Sequence, residues 1–253
     1  MLKIVVCATR RPEMSRAEFH RRWQGHAKVV TAAAAAMGIR RMVQNHTITT
    51  PLDERVRRSR GASLDDYDGV AETWFDSYDA LIAATSSDEG RRAAQRLAED
   101  EAAFIDFPRS RIFFVEEHLV VNQEQSGKPL SLKIIICMKR QPHMSRAEFL
   151  RYWKEDHAEV VTEAAHPMGM RRNVHNHTIA TPIDEQMRRA RGAEMADYDG
   201  VAQSWFDSYE ARLATSLTEE GRRAAQLLAE DEVRFIDYPR SRMFFVEEHV
   251  VVG

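Results

Sequence analysis

Ten histidines occur among the 253 residues, and several recur in pairs: His26 with His157, His46 with His177, His118 with His249. Imidazole titrates near neutral pH, so a histidine can take or give a proton where most side chains are held in one state. His46 and His177 fall in apparent strands, each after an asparagine. They read either as general acid–base groups facing a cleft or as buried histidines bonded to backbone. His26 and His157 lie on an apolar helix stripe close to Trp23 and Trp153, where packing explains them equally well. His118 and His249 follow two glutamates at a strand end and read as rim residues. Tyr152, Asn173 and His175 belong to the second member of the pattern alone; Arg22, Met42 and Gln44 stand at the matching places. His175 and His177 share strand parity and therefore one face. A tyrosine, an asparagine and two or three histidines around one apolar cleft would orient and protonate a phenol or a carbonyl. The candidate catalytic residues are thus His177, His157 and Tyr152, with His46 and His26 as counterparts and His177 as first choice for general base. Candidate substrate contacts are His175, Asn176, Asn173, Trp153, Trp205, Tyr198 and His249.

Other chemistry is sparse. The chain has no glycine-rich phosphate loop, HExxH, CxxC or G-x-S-x-G motif, so the expectation is an enzyme without an organic cofactor. Glu116, His118 and His46 are suitable metal-ligand types but show no tight spacing, and no metal is expected. The arginines of 55–60 describe either a solvated face or a lid presenting cations to a carboxylate or phenolate. Cys7 and Cys137 occupy matching places in apolar strands and read as inert core thiols in a reducing compartment. Net charge is −3 with a pI near 6.4, and no run of like charge suggests a nucleic-acid or membrane surface. No apolar run approaches the ~20 residues of a membrane helix, and the opening residues read as a strand rather than a signal peptide. The chain reads as cytoplasmic, with a small-molecule substrate and a possible homo-oligomer.

The elements that position these residues are written twice. MSRAEF, DYDGVA, GRRAAQ, PRSR and FFVEEH each recur, at an offset of 130 up to Trp23/Trp153 and 131 from His26/His157. Solenoid repeats run roughly 20–50 residues, so this is duplication of a whole domain. The expected domains are 1–121 and 132–253, joined by the polar linker Asn122–Ser131. Each unit opens with an apolar strand, then a basic turn with proline. A capping box follows, Ser15 to Glu18 and Ser145 to Glu148, and starts a helix that ends before Gly38 and Gly169. A second strand, Arg40–Thr49, leads to a small arginine-rich helix with Thr50 as cap, Pro51 at its first position and Gly61 after its end; a third strand, Tyr67–Phe75, a further helical part and a last strand, Arg111–Val121, follow. The order βαββαβ is the ferredoxin-like plan. Both parities of the strands are apolar, as in Val5 with Val6 and Phe113 with Phe114. Both faces must therefore be covered, one by helices and the other by the second copy. The fold class is α+β, two such repeats packed sheet to sheet as an intramolecular barrel.

The basic turn with proline, MSRAEF, Trp153-Lys-Glu-Asp-His157, the Asn-His pairs and FFVEEH resemble the EthD family of dimeric α+β barrel proteins over nearly all of both copies. The resemblance implies that fold. It also implies relatives linked to dehydration, decarboxylation and cyclisation of aromatic polyketides, and related barrels that are cofactor-free monooxygenases. The leading expectation is a cofactor-independent lyase-type enzyme, a dehydratase or cyclase acting on a small aromatic or polyketide-like metabolite. A cofactor-free or metal-assisted oxygenase and a non-enzymatic ligand-binding accessory protein are the alternatives. The first copy departs from the family spacing: Trp23-Gln-Gly-His26 is one residue short. In a regular helix that rotates His26 by about 100° relative to the tryptophan, so the second copy is expected to hold the more competent site.

Overall fold

A computed structural model describes residues 1–123, 129–193 and 197–253. Part of the linker, 124–128, lies outside the described residues. The first half runs β1 (Leu2–Ala8), α1 (Arg16–Met37), β2 (Arg41–Ile48), α2 (Pro51–Arg58), β3 (Gly69–Phe75), α3 (Tyr78–Ser86), α4 (Asp88–Glu101) and β4 (Arg111–Asn122). The second runs β5 (Leu132–Met138), α5 (Arg146–Lys154), α6 (Asp156–Met168), β6 (Met170–Ile179), α7 (Asp184–Arg191), β7 (Gly200–Phe206), α8 (Tyr209–Leu217), α9 (Glu219–Glu232) and β8 (Arg242–Val252).

The strands close one barrel in the order β1-β3-β2-β8-β5-β7-β6-β4. Each half supplies four consecutive antiparallel staves. The seams are β2 with β8 and β4 with β6, so the last strand of each half extends across the sheet of the other. This explains the two-sided apolarity. One parity, including Val5, Val70, Phe113, Ile135, Val201 and Phe244, fills the barrel. The other, including Ile4, Phe114, Ile136 and Met243, packs beneath the helices. Cys7 and Cys137 meet inside the barrel as free thiols, sulfur to sulfur 3.8 Å.

The repeated Asp-Tyr-Asp-Gly has a part for every residue. Asp66 accepts from Arg57, Tyr67 turns into the barrel, and Asp68 pairs with Arg10 and Arg16. Gly69 lies under the Trp23 ring, where a Cβ would stand 2.1 Å from a ring carbon; Gly200 does the same for Trp153 at 2.3 Å. The missing side chains let α1 and α5 lie close on the sheet.

Two expectations are corrected. The one-residue difference does not rotate His26 away from its counterpart. The first helix of the second half is broken into α5 and α6, and Glu155 at the break absorbs the additional residue with φ −102 and ψ −71. His26 and His157 consequently take equivalent places. The arginine-rich α2 is not a solvated face throughout: it crosses to the second half, burying Leu52 in a core with Phe206, Leu228 and Phe245.

Candidate functional site

The paired histidines lie outside the barrel, between sheet and helices, in one cluster per half. Each cluster is completed by the other half across a seam. In the first, the His46 ring stacks on Trp23 at 4.9 Å and 7°, with His20 at 4.6 Å and His249 of β8 at 4.4 Å. In the second, His177 lies 4.4 Å from Trp153 and 4.3 Å from His118 of β4. His175 stacks on Trp153 at 4.7 Å and on His157 at 5.6 Å.

Behind each cluster stands an anchored histidine. His157 donates Nδ1–H to Asp231 at 2.7 Å, and Tyr152 donates its hydroxyl to the other carboxylate oxygen at 2.5 Å. His26 makes the same bond to Asp100 at 2.6 Å, with Arg22 in place of the tyrosine. Burial would raise the Asp231 pKa, but the bonds from His157 and Tyr152 hold it below its ordinary value. The carboxylate therefore stays ionised, fixes the Nδ1–H tautomer and leaves Nε2 as the basic nitrogen, the arrangement of base and orienting acid in hydrolytic triads.

The clusters differ in how their polar atoms are satisfied. In the first, Gln44 closes the network: it donates to the Trp23 carbonyl at 2.9 Å and accepts from His46 Nε2 at 3.2 Å. In the second, His175 stands at that position and faces the Trp153 carbonyl without closing a hydrogen bond. Both its nitrogens and His177 Nε2 are buried without a partner. A buried polar group without a partner is costly, and its persistence calls for a reason. Burial, reinforced by neighbouring histidines, lowers the His175 pKa far below its usual value. Burial first, then the neighbouring His118, Lys154 and Arg146, bring His177 down to about 3. Both imidazoles are neutral at pH 7.

This cluster opens outward. His118, His175, Lys154, Glu155 and Glu159 line a groove of about 860 Å³ at the α5–α6 break. A second cavity, about 600 Å³ and mainly apolar, lies between the outer face of β5, β7 and β8 and helices α8 and α9, under α2. The single cleft expected to hold both substrate and histidines is therefore two spaces.

Of the sequence candidates, His177, His157, Tyr152, His175 and Trp153 are brought together, and His46, His26 and His249 assemble the counterpart. Asn173 is close by on β6, bonded to Ser204 at 2.9 Å. Asn176, Tyr198 and Trp205 are not part of this group. They face the barrel interior, where Asn176 accepts from Lys3 at 2.7 Å, Tyr198 meets Tyr67 at 3.2 Å and Trp205 donates to Glu248 at 3.1 Å. Alternation makes this unavoidable for Asn176, which sits between two outward histidines. Glu116, His118 and His46 are likewise not a joint ligand set, since His118 belongs to the second cluster and His46 to the first. Among the described residues no group of three or more metal-capable side chains is assembled. Asp100 and Asp231, His20, and His118 as a partner of His177 join the clusters without having been candidates from sequence. Asp100 and Asp231 had a signal, recurrence within Ala-Glu-Asp-Glu, but they lie 74 residues from the histidines they anchor.

A barrel closed by two ferredoxin-like halves, with helices outside, defines the dimeric α+β barrel class, formed here within one chain. The chain belongs to the EthD family: the EthD domain matches residues 11–108 and 141–239. Solved structures of similar fold include an anthrone oxidase-like protein, 12% identical, covering 100% of this chain and 93% of that one with a TM-score of 0.56. A proposed monooxygenase from Fusobacterium nucleatum is 8% identical over 98% of this chain and 92% of its own, TM-score 0.53. A proposed chlorite dismutase is 12% identical over 99% and 95%, TM-score 0.52. At these identities the likeness is one of fold. No curated protein matches the chain in sequence. Among the described residues no helix is long and apolar enough to cross a membrane.

Proposed function

We propose that the chain is an enzyme that moves protons on a small, enolisable aromatic or polyketide-like metabolite, in a lyase-type step such as dehydration or cyclisation. The observation that carries this is the second cluster: three buried ring nitrogens without partners, two of them on His175, which lines an open groove, with the carboxylate-anchored His157 stacked behind it. His175, neutral and lining the groove, donates an N–H to a substrate carbonyl or phenol oxygen. His157, steadied by Asp231, is the proton acceptor and returns the proton to the leaving or cyclising centre. His177, the first choice from sequence, is too weak a base at a pKa of about 3; its role becomes orientation of the bound oxygen. Proton transfer by a positioned group contributes typically 10²–10⁴-fold.

The test is exchange of the C2 protons of 1-tetralone with D₂O, followed by NMR. The intact chain should accelerate exchange, and His157→Gln should cut the acceleration by about 10²-fold or more. Acceleration unchanged in His157→Gln, or none above a histidine-buffer control, would sink the reading. Oxygen uptake in the same reaction, with an oxygenated product, would instead favour oxygenation of the same enolate.

A further inference from the structure

The second cavity has its own chemistry. Its walls are largely aliphatic and aromatic, with Ile134, Ile136, Phe206, Met243 and Phe245 on the sheet side. Arg212 of α8 is set into this lining and is only 8% exposed. Its guanidinium lies 5.4 Å over the Phe206 ring, and Nη1 donates to the Thr215 hydroxyl at 3.3 Å. Among the described residues no carboxylate is within ion-pair distance of it. Arginine keeps its proton, so burial without a counter-charge is costly. Two more arginines reach the same space, Arg55 from α2 and Arg60 from the turn that follows it. Arg60 is neutralised by Glu232 at 2.5 Å, whereas Arg55 makes only a 3.4 Å bond to the Ser216 carbonyl. Burial first, then Arg60 and Arg55, press the Arg212 pKa down to about 10, which still leaves it charged at neutral pH.

The first half shows that the fold does not need this charge. Leu81 occupies the position of Arg212, 2% exposed, in a core against which Ile183 and Met187 pack. Gln186 occupies that of Arg55. The same architecture folds with leucine there, so the arginine answers a requirement other than packing.

We propose that this cavity binds a small amphipathic anion, an apolar body bearing one carboxylate or comparable oxyanion, with the head seated between Arg212 and Arg55 and the body along the sheet. The volume of about 600 Å³ suits a molecule of drug size. A planar, charge-assisted fork is the strongest neutral-pH recognition of a carboxylate available to a side chain. Neither His118 nor His175 lines this cavity, so the site stands whatever the histidine groove catalyses. Because the first half holds Leu81 and Gln186 at these places, one ligand binds per chain.

The test is titration calorimetry on the full chain with naphthalene-2-carboxylate, its neutral isostere naphthalene-2-carboxamide, and dodecanoate. At least one acid should bind once per chain. The naphthoate should bind about tenfold or more tighter than the amide, as expected for a charge-assisted pair replacing a neutral one. Arg212→Leu, which installs the first half's residue, should abolish that preference while leaving amide binding in place; Arg55→Gln should reduce it. The ratio of naphthoate to dodecanoate affinity then tells whether a flat ring or a flexible chain is the better body. The proposal is overturned if neither acid binds at millimolar concentration, if acid and amide bind alike, if two acids bind per chain, or if the preference survives in Arg212→Leu. Should Arg212→Leu lose its fold by circular dichroism, Arg55→Gln and the acid–amide comparison on the intact chain decide.

Discussion

Position 44 and its counterpart 175 separate the two halves at the level of single side chains. Glutamine satisfies its neighbours, whereas histidine leaves buried ring nitrogens without a partner. His177→Ala should therefore cost turnover substantially and His46→Ala little, with circular dichroism confirming equal folding; equal losses would mean that both clusters work or that both are structural. The buried histidines also set a pH dependence. The pKa of His46 and that of His177 fall from 6.5 to about 3, chiefly by burial. The unfolded chain takes up those protons near 6.5, so the stability conferred by keeping the rings neutral is complete above that pH. It is lost progressively as pH falls toward 3. Melting temperature measured from pH 7.5 to 4.5 should decline less steeply in the His46→Gln, His177→Gln double variant than in the parent. Parallel slopes would refute the assignment. Much of this was legible in sequence, because residue type and strand parity group His175 with His177. What was not legible is which face of a strand buried on both sides meets a cavity, so residue type alone does not separate Asn176, Tyr198 and Trp205, which face the barrel interior, from the outward histidines.

Among the elements, helix starts and stops were the most legible. Ser15 with Glu18 and Ser145 with Glu148 form the capping boxes, and Gly38 and Gly169 take the left-handed conformation at φ 67 and 68. Local chemistry fixes such ends. Where an inserted residue goes is not a local matter. Trp153 is pinned over Gly200 and His157 to Asp231, so the second half breaks its helix between them rather than rotate either side chain. Deleting Glu155 should thus be tolerated, because the result is the continuous helix of the first half. Deleting Ala164, inside α6, should not be, since everything after it turns by about 100°. Thermal melts should show a small shift for the first deletion and loss of the cooperative transition for the second; similar behaviour of the two would refute this account. The crossing of α2 to the opposite half was equally invisible locally, since its partner surface lies more than 150 residues away in the chain.

For the whole molecule, the decisive interactions are at the centre of the barrel. Glu72 accepts from Lys3 at 2.5 Å and Lys133 at 2.6 Å, while Gln203, at the matching place, donates to it at 2.8 Å. Burial alone would raise the Glu72 pKa, but the two lysines hold it well below the carboxylate range. One carboxylate thus serves both lysines, assisted from the rim by Glu248, 3.1 Å from Lys133, and Glu117, 3.8 Å from Lys3. Expressed separately as 1–121 and 132–253, the halves should not be equivalent. Two first halves would bring two Glu72 to two Lys3. Two second halves would bury two Lys133 with Gln203 and only rim carboxylates, and an uncompensated buried charge costs several kcal/mol. Sedimentation should show the mixture pairing as one of each, with the second half alone failing to form a stable dimer until Gln203→Glu restores the missing carboxylate. Stable self-pairing of the unaltered second half would contradict this.

The seams carry one more consequence. His118 reaches His177 and His249 reaches His46 only because each half lends its final strand to the other. In an assembly of separate subunits such a site exists only while the subunits stay associated, and it disperses on dilution. Covalent connection replaces that dependence with a fixed local concentration, on the order of millimolar for short connections. Activity per mole of chain should therefore be flat from micromolar to nanomolar protein, whereas a mixture of separated halves should lose specific activity as it is diluted. The duplication has converted a concentration-dependent site into one that survives scarcity.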